Sequence, residues 1–175
     1  MQYTCRYESP LGGILLACDE VGLTGLWFSG QKYFAQGLDT DSEEKNTAVF
    51  DRTKKWLDIY FGKDIPDFTP PLHLTGSDFR IAVWKLLLEI PYGQVETYGA
   101  LARKLAKQTA PSPRAVGGAV GHNRISVIIP CHRVVGANGS LTGYAGGMER
   151  KSFLLRLENR GSDGEKPFLT RFPPR

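Results

Sequence analysis

The chain reads as an α/β (α+β) protein built in two parts. A small N-terminal antiparallel sheet with one helix precedes a mostly helical part that contains a helix-turn-helix. Three observations predict this. Residues 3 to 28 form short apolar runs separated by a Ser9-Pro10-Leu11-Gly12-Gly13 turn and a second turn over Asp19 to Gly22, as antiparallel strands do. Pro66, Pro70 and Pro71 then break the chain ahead of residue 76. Beyond them, apolar residues recur at helical spacing in successive segments. The expected domains are 1–75, 76–160 and a flexible Gly-, Pro- and charge-rich tail over 161–175.

Taken in order, the strands are Tyr3 to Glu8, Ile14 to Cys18 and Leu23 to Phe28, with Trp27 and Phe28 as packing residues. Residues 29 to 47 are polar and glycine-punctuated, which predicts a poorly ordered loop. A helix from about Thr47 to Phe61 shows Phe50, Trp56-Leu57 and Tyr60-Phe61 as its apolar stripe, with Gly62 as its stop. Thr75-Gly76-Ser77-Asp78 opens the next helix, which carries Phe79, Val83, Leu86-Leu87 and Ile90 before Pro91-Tyr92-Gly93 ends it. Thr97 can cap a helix containing Tyr98, Leu101, Ala102 and Leu105. Pro111-Ser112-Pro113 then turns the chain into a second helix over Arg114 to Gly121.

Each glycine in that second helix costs about 1 kcal/mol of helicity relative to alanine. Two explanations stay open, close approach of a partner or tight packing inside the protein. Ile128 to Val135 reads as a buried strand carrying Cys131. Gly143-Tyr144-Ala145-Gly146-Gly147 is a glycine-rich loop without the spacing of a phosphate cradle. A last helix, about Met148 to Glu158, points Phe153-Leu154 and Leu157 inward.

The 175 residues are enough to bury a core without staples, and no apolar run is long enough to span a bilayer. With no secretory pattern at the N-terminus, the expected location is cytoplasmic. Cys5, Cys18 and Cys131 make an odd count without a CxxC pair, against a disulfide scaffold. A zinc on Cys5, Cys18 and His73 lacks a fourth ligand, so no metal and no cofactor is expected. The net charge of +4 hides an asymmetry, because residues 1 to 75 hold 7 Lys and Arg against 11 Asp and Glu, and the remainder 15 against 7. A basic second half suits a polyanionic partner.

Cys131 alone reads equally as a nucleophile or as an inert core thiol, since free cysteine is among the most buried residue types. Its surroundings carry more. Ile129-Pro130-Cys131-His132-Arg133-Val134, Arg114-Ala115-Val116-Gly117-Gly118-Ala119, Asn123, Thr97-Tyr98, the 143–147 loop and Leu154 to Glu158 together resemble the O6-alkylguanine-DNA alkyltransferases, also called methylated-DNA-protein-cysteine methyltransferases, of the single-function bacterial type. Order and spacing agree across residues 79 to 158, while the N-terminal part matches only in its Ser-Pro-Leu-Gly turn and strand pattern.

The resemblance implies a ribonuclease H-like N-terminal domain and a winged-helix-like C-terminal one. It implies irreversible transfer of an alkyl group from O6-alkylguanine, and O4-alkylthymine, in double-stranded DNA to Cys131, once per molecule. His132 would be the base, working through a water and oriented by Glu158, a carboxylate that reads by itself as an ordinary surface acid. Asn123 would brace the turn before the cysteine. Tyr98 would grip the rotated nucleotide and donate a proton. Arg114 would fill the gap left in the stack, with Ala115, Gly117, Gly118 and Arg124 on the DNA and the small-residue helix in the minor groove. Tyr144, Val134, Ser126, Ala145 and Gly146 would line the base pocket. Ser126 and Ala145 stand where mammalian relatives carry proline and serine, which bears on the alkyl groups accepted. The implied partner is DNA bearing alkylated bases, bound by a nucleoid-associated monomer with cooperativity left open. The alternative is a lesion-recognition protein that recruits other repair factors without transfer.

Overall fold

The computed structural model describes residues 1–107 and 110–159, so the expected tail over 161–175 lies outside the described residues. Contacts group the chain into two units. One is Met1–Gly76 with Arg124–Ile128; the other is Ser77–Asn123 with the chain from Ile129 onward. Residues 124–128, expected in the second domain, thus cluster with the first unit.

In the first unit, β1 (Tyr3–Ser9), β2 (Gly12–Cys18) and β3 (Leu23–Phe28) form an antiparallel meander. Gly12 at φ 99° closes the first turn, where the Ser9 hydroxyl donates to its carbonyl at 2.7 Å. Asp19 builds the second by accepting from the backbone N–H groups of Val21 and Gly22. The stretch expected as a poorly ordered loop contributes β4 (Glu43–Glu44), which pairs parallel to β1 and gives the sheet order β3-β2-β1-β4. Gln2 fixes this stretch, its backbone carbonyl accepting from Glu43 N and its side chain from Asp39 N. At the other edge, β3 takes single parallel bridges from Leu72 and Ile125. Helix α1 (Ala48–Phe61), capped by the Thr47 side chain, buries Phe50, Trp56, Leu57 and Tyr60.

The second unit contains α2 (Asp78–Leu88), α3 (Tyr98–Leu105), α4 (Pro113–Gly121) and α5 (Met148–Glu158). Ser77, Thr97 and Ser112 each cap the helix that follows, and Pro113 occupies the first turn of α4, where its missing N–H costs nothing. The buried Trp84 indole donates to Ala119 O at 2.9 Å and pins α2 to α4. A short parallel ladder joins β5 (Glu96–Thr97) to β6 (Val134–Val135), so the start of α3 lies beside the exit of the cysteine segment. No helix among the described residues is long and apolar enough to cross a membrane.

The apolar run 128–135 predicts a strand, but only its last two residues form one. Sharp turns explain the difference. Val127 at φ 70° centres a γ-turn closed by Ile128 N donating to Ser126 O at 2.8 Å, a left-handed conformation that costs a β-branched residue about 1–3 kcal/mol. Pro130, at φ −82° and ψ 64°, centres an inverse γ-turn closed by Cys131 N and Ile129 O. Cys131–Arg133 then forms one turn of 3₁₀ helix.

Candidate active site

That 3₁₀ turn determines which side chains can converge. In a strand, His132 and Arg133 would point to opposite faces; in a 3₁₀ turn they are separated by about 120°. Both reach Glu158. His132 Nε2 lies 2.5 Å from Glu158 Oε2, and Arg133 donates from Nε to Oε1 at 2.7 Å and from Nη2 to Oε2 at 3.2 Å. Gly93 N adds a further bond to Oε1 at 3.1 Å. Glu158, expected by itself to be a surface acid, is 5% exposed because it ends the buried stripe of α5.

The electrostatics follow from this packing. Burial works against the charged form of Glu158, but the His132 and Arg133 contacts outweigh it and hold the carboxyl far below its usual range. His132 is 0% exposed, and burial lowers its pKa despite the pull of Glu158, with Arg133 and Lys151 acting in the same direction as burial. The ring is therefore neutral. An ionised carboxylate only accepts, so the ring proton sits on Nε2 and leaves Nδ1 as the basic nitrogen. Nδ1 is buried and has no protein hydrogen-bond partner among the described residues.

Cys131 is also buried, and burial raises its thiol pKa. The Asn123 side chain, the Lys151 charge and the backbone N–H groups of Cys131 and His132 oppose that rise without cancelling it. The resting group is a thiol with its anion-stabilising contacts already in place. Asn123 also donates from Nδ2 to Ile129 O at 2.8 Å, across the Pro130 turn.

Tyr98 opens α3, and its hydroxyl donates to Thr142 O at 3.1 Å. Burial keeps this phenol protonated, and a charge on Cys131 would reinforce the effect. Lys151 is not among the residues that the sequence singles out. Its fully buried ammonium donates to the carbonyls of Val134, Thr142 and Gly143, tying β6 to the glycine-rich loop, and burial pulls its pKa down to about 8. Sequence spacing carries a signal for it. Lys151, Leu154, Leu155 and Glu158 fall at i, i+3, i+4 and i+7, so both charged residues occupy the buried stripe. The same helix places Leu155 inward, where Phe153 is expected but is only half-buried.

Helix α4 turns Val116, Ala119 and Val120 inward and leaves Arg114, Ala115 and Gly118 exposed, with Gly117 half-buried. A Cβ on Gly117 would touch the Tyr98 ring at ordinary distance, and one on Gly118 would meet nothing within 4 Å. Internal packing therefore gives no reason for glycine at 118. In the glycine-rich loop, Gly146 is buried while Tyr144 and Ala145 are half-buried, and Val134 is fully buried.

Two expected site residues belong to the other unit. The half-buried Arg124 donates from Nη1 to Thr75 at 2.9 Å, with its guanidinium so close to Gly37 that a Cβ there would lie 2.6 Å away. This engagement gives Arg124 a packing role in place of the DNA contact expected of it. Ser126 is 1% exposed in the same unit, in the Val127 turn. Cys5, Cys18 and His73 form no metal-binding group among the described residues.

Comparison with known proteins covers both units. Residues 2–74 match the ribonuclease-like domain of 6-O-methylguanine DNA methyltransferase, and residues 78–160 match its DNA-binding domain. A methylated-DNA–protein-cysteine methyltransferase of Methanosarcina acetivorans is 44% identical over 157 residues, 89% of this chain and 97% of the relative. Another from Haemophilus influenzae is 39% identical over 94% of this chain and 93% of its own. Among solved structures, the Mycobacterium tuberculosis O6-methylguanine methyltransferase superposes with a TM-score of 0.79 at 39% identity, covering 94% of this chain and 97% of that one. Mycobacterium tuberculosis OGT in complex with DNA gives 0.78 at 38% identity and covers 98% of each chain. With both halves matched in order by its two domain models, the chain belongs to the 6-O-methylguanine DNA methyltransferase family, the methylated-DNA–protein-cysteine methyltransferases.

Proposed function

We propose that this protein repairs double-stranded DNA by moving the alkyl group of O6-alkylguanine, and of O4-alkylthymine, irreversibly onto Cys131. The observation that carries the reading is a buried thiol next to a neutral histidine that Glu158 orients from Nε2, leaving a buried and unmatched Nδ1. The Cys131 proton passes through a water to Nδ1, and the thiolate attacks the alkyl carbon as its bond to the base oxygen breaks. Tyr98, held protonated by burial, lends its proton to the departing guanine, so the net movement is one proton from thiol to base. The thioether product has no leaving group, which ends the reaction after one turnover.

The target atom lies inside the base stack, so the nucleotide must be rotated out. The exposed face of α4 suits the narrow minor groove because only Arg114 among Arg114, Ala115 and Gly118 carries a long side chain. Asn123 braces the Pro130 turn, and Tyr144, Val134, Ala145 and Gly146 form the base pocket. Incubation with DNA bearing a labelled O6-methyl group tests the reading. One label per molecule, retained on Cys131 and absent from Cys131→Ser, is expected. Binding without labelling, or release of label with turnover, rules it out.

The helix face has its own test. Gly118→Ala should raise fold stability by about 0.5–1 kcal/mol, because the site is exposed and helical. Gly118→Leu should weaken duplex binding at least tenfold while sparing the reaction with free O6-benzylguanine. Unchanged duplex affinity in the leucine variant would remove this face from the DNA contact, and thermal melts alongside a binding titration measure both effects.

A further inference from the structure

We propose that Arg133 is a positioning residue that keeps His132 available as a base, by neutralising Glu158 so that the carboxylate orients the ring without drawing a proton onto it. This role rests on those proposed for Cys131 and His132 and adds a residue to them. A carboxylate facing an imidazole in a low-dielectric interior favours the ion pair, with the proton added to the ring. A histidine held in that form cannot accept the Cys131 proton. Something must therefore offset the Glu158 charge while leaving its oxygens in place.

Arg133 is built for this. Its guanidinium lies side-on against both Glu158 oxygens, at 2.7 and 3.2 Å. Its remaining nitrogen donates to Ile90 O at 2.8 Å, and Tyr92 stacks with ring centroid 5.7 Å from the guanidinium carbon. The side chain is thus fixed from α5, from the end of α2 and from the turn beyond it. With Gly93 N and His132 Nε2 added, four donors converge on the carboxylate, as many as its lone-pair sites. Glu158 cannot take a proton without displacing one of them.

The charged and titratable groups around His132 are Glu158 and Lys151 from α5, Arg133 and Cys131 from its own turn, and Tyr98 from α3 beside Cys131. Of these, only Arg133 contacts the Glu158 carboxylate as a cation. Lys151 acts from a distance, with its donors on backbone carbonyls. The 3₁₀ turn is what permits the arrangement, because it aims two consecutive side chains at one acceptor.

The experiment is a titration of His132 by NMR in the full chain and in Arg133→Gln and Arg133→Lys, with the rate of Cys131 alkylation by O6-benzylguanine followed over the same pH range. In Arg133→Gln, the His132 titration should move up by at least one pH unit. The alkylation rate at neutral pH should fall about tenfold and recover as pH rises. Arg133→Lys, which keeps the charge, should fall between the two. A folded Arg133→Gln whose His132 titrates as in the parent overturns the proposal. So does a rate reduced by the same factor at every pH, as loss of mere packing would give. If Arg133→Gln fails to fold, the lysine variant decides by the same shift, since a compact ammonium offsets the carboxylate less well than the bidentate fork. A His132 shift with no change in the alkylation profile supports Arg133 as stated and instead removes His132 from the relay.

Discussion

Replacing Glu158 by glutamine is expected to slow Cys131 alkylation at neutral pH by roughly 10²-fold or more, the size of a general-base contribution. It should also cost the fold about 3 kcal/mol. The shape of the side chain survives, but its chemistry does not. An amide offers one accepting oxygen where two are used, and its NH2 group would face His132, Arg133 or Gly93 donor to donor. The buried Arg133 guanidinium then lacks its counter-charge, which is the costly way to break a buried pair. Free of its acceptor, His132 also loses the reason to keep its proton on Nε2. A loss of this size is a large part of a typical 5–15 kcal/mol stability, so melts and single-turnover rates should both report it.

The acid side of the stability profile adds a check. The Glu158 carboxyl is held below its unfolded value, so its contribution is fully present above about pH 4.3 and is lost as pH falls through the folded pKa. Glutamine cannot titrate. The variant should be less stable near neutrality and should lose less of its stability between about pH 4 and pH 2 than the parent does. An unchanged rate together with an unchanged melt would remove Glu158 from the site.

Local rules make much of this fold legible in the sequence. Thr47, Ser77 and Thr97 cap helices where the capping pattern predicts them, and α5 runs from Met148 to Glu158 as its spacing implies. Cys131, His132, Asn123, Tyr98 and Glu158 stand out only as a set in family order. The segment around Cys131 departs from the expected strand because Ile128-Ile129 and Val134-Val135 have strong strand propensity, and propensity does not register two γ-turns. Arg133 and Lys151 escape a sequence reading for another reason. Charged residues are read as solvated by default, and their burial depends on acceptors far along the chain, Ile90 and Glu158 for one and Val134 for the other. Arg124 misleads in the opposite direction. Its neighbours in sequence suggest DNA, while Thr75 and Gly37, distant in sequence, take up the side chain.

Arg114→Ala is expected to slow repair of O6-methylguanine in duplex DNA about 10²-fold and to leave the reaction with free O6-benzylguanine within a factor of two. The side chain projects from the first turn of α4 on its exposed face and has no part in the core. Its removal therefore leaves the Cys131 turn untouched. Extruding a base costs a few kcal/mol, and each 1.4 kcal/mol of that cost left uncompensated is a factor of ten in rate. A free base has no stack to leave, so it pays no such cost. Loss of one phosphate-facing charge would look different, weakening binding to damaged and undamaged duplex alike and flattening the salt dependence by about one counterion. Duplex repair, free-base reaction and salt-dependent binding, measured on one preparation, separate these outcomes. Equal losses on duplex and free base would place Arg114 in the chemistry or in the fold. A loss confined to duplex, with the salt slope nearly intact, assigns it to the opened stack and with it orients the small-residue face of α4 toward the minor groove.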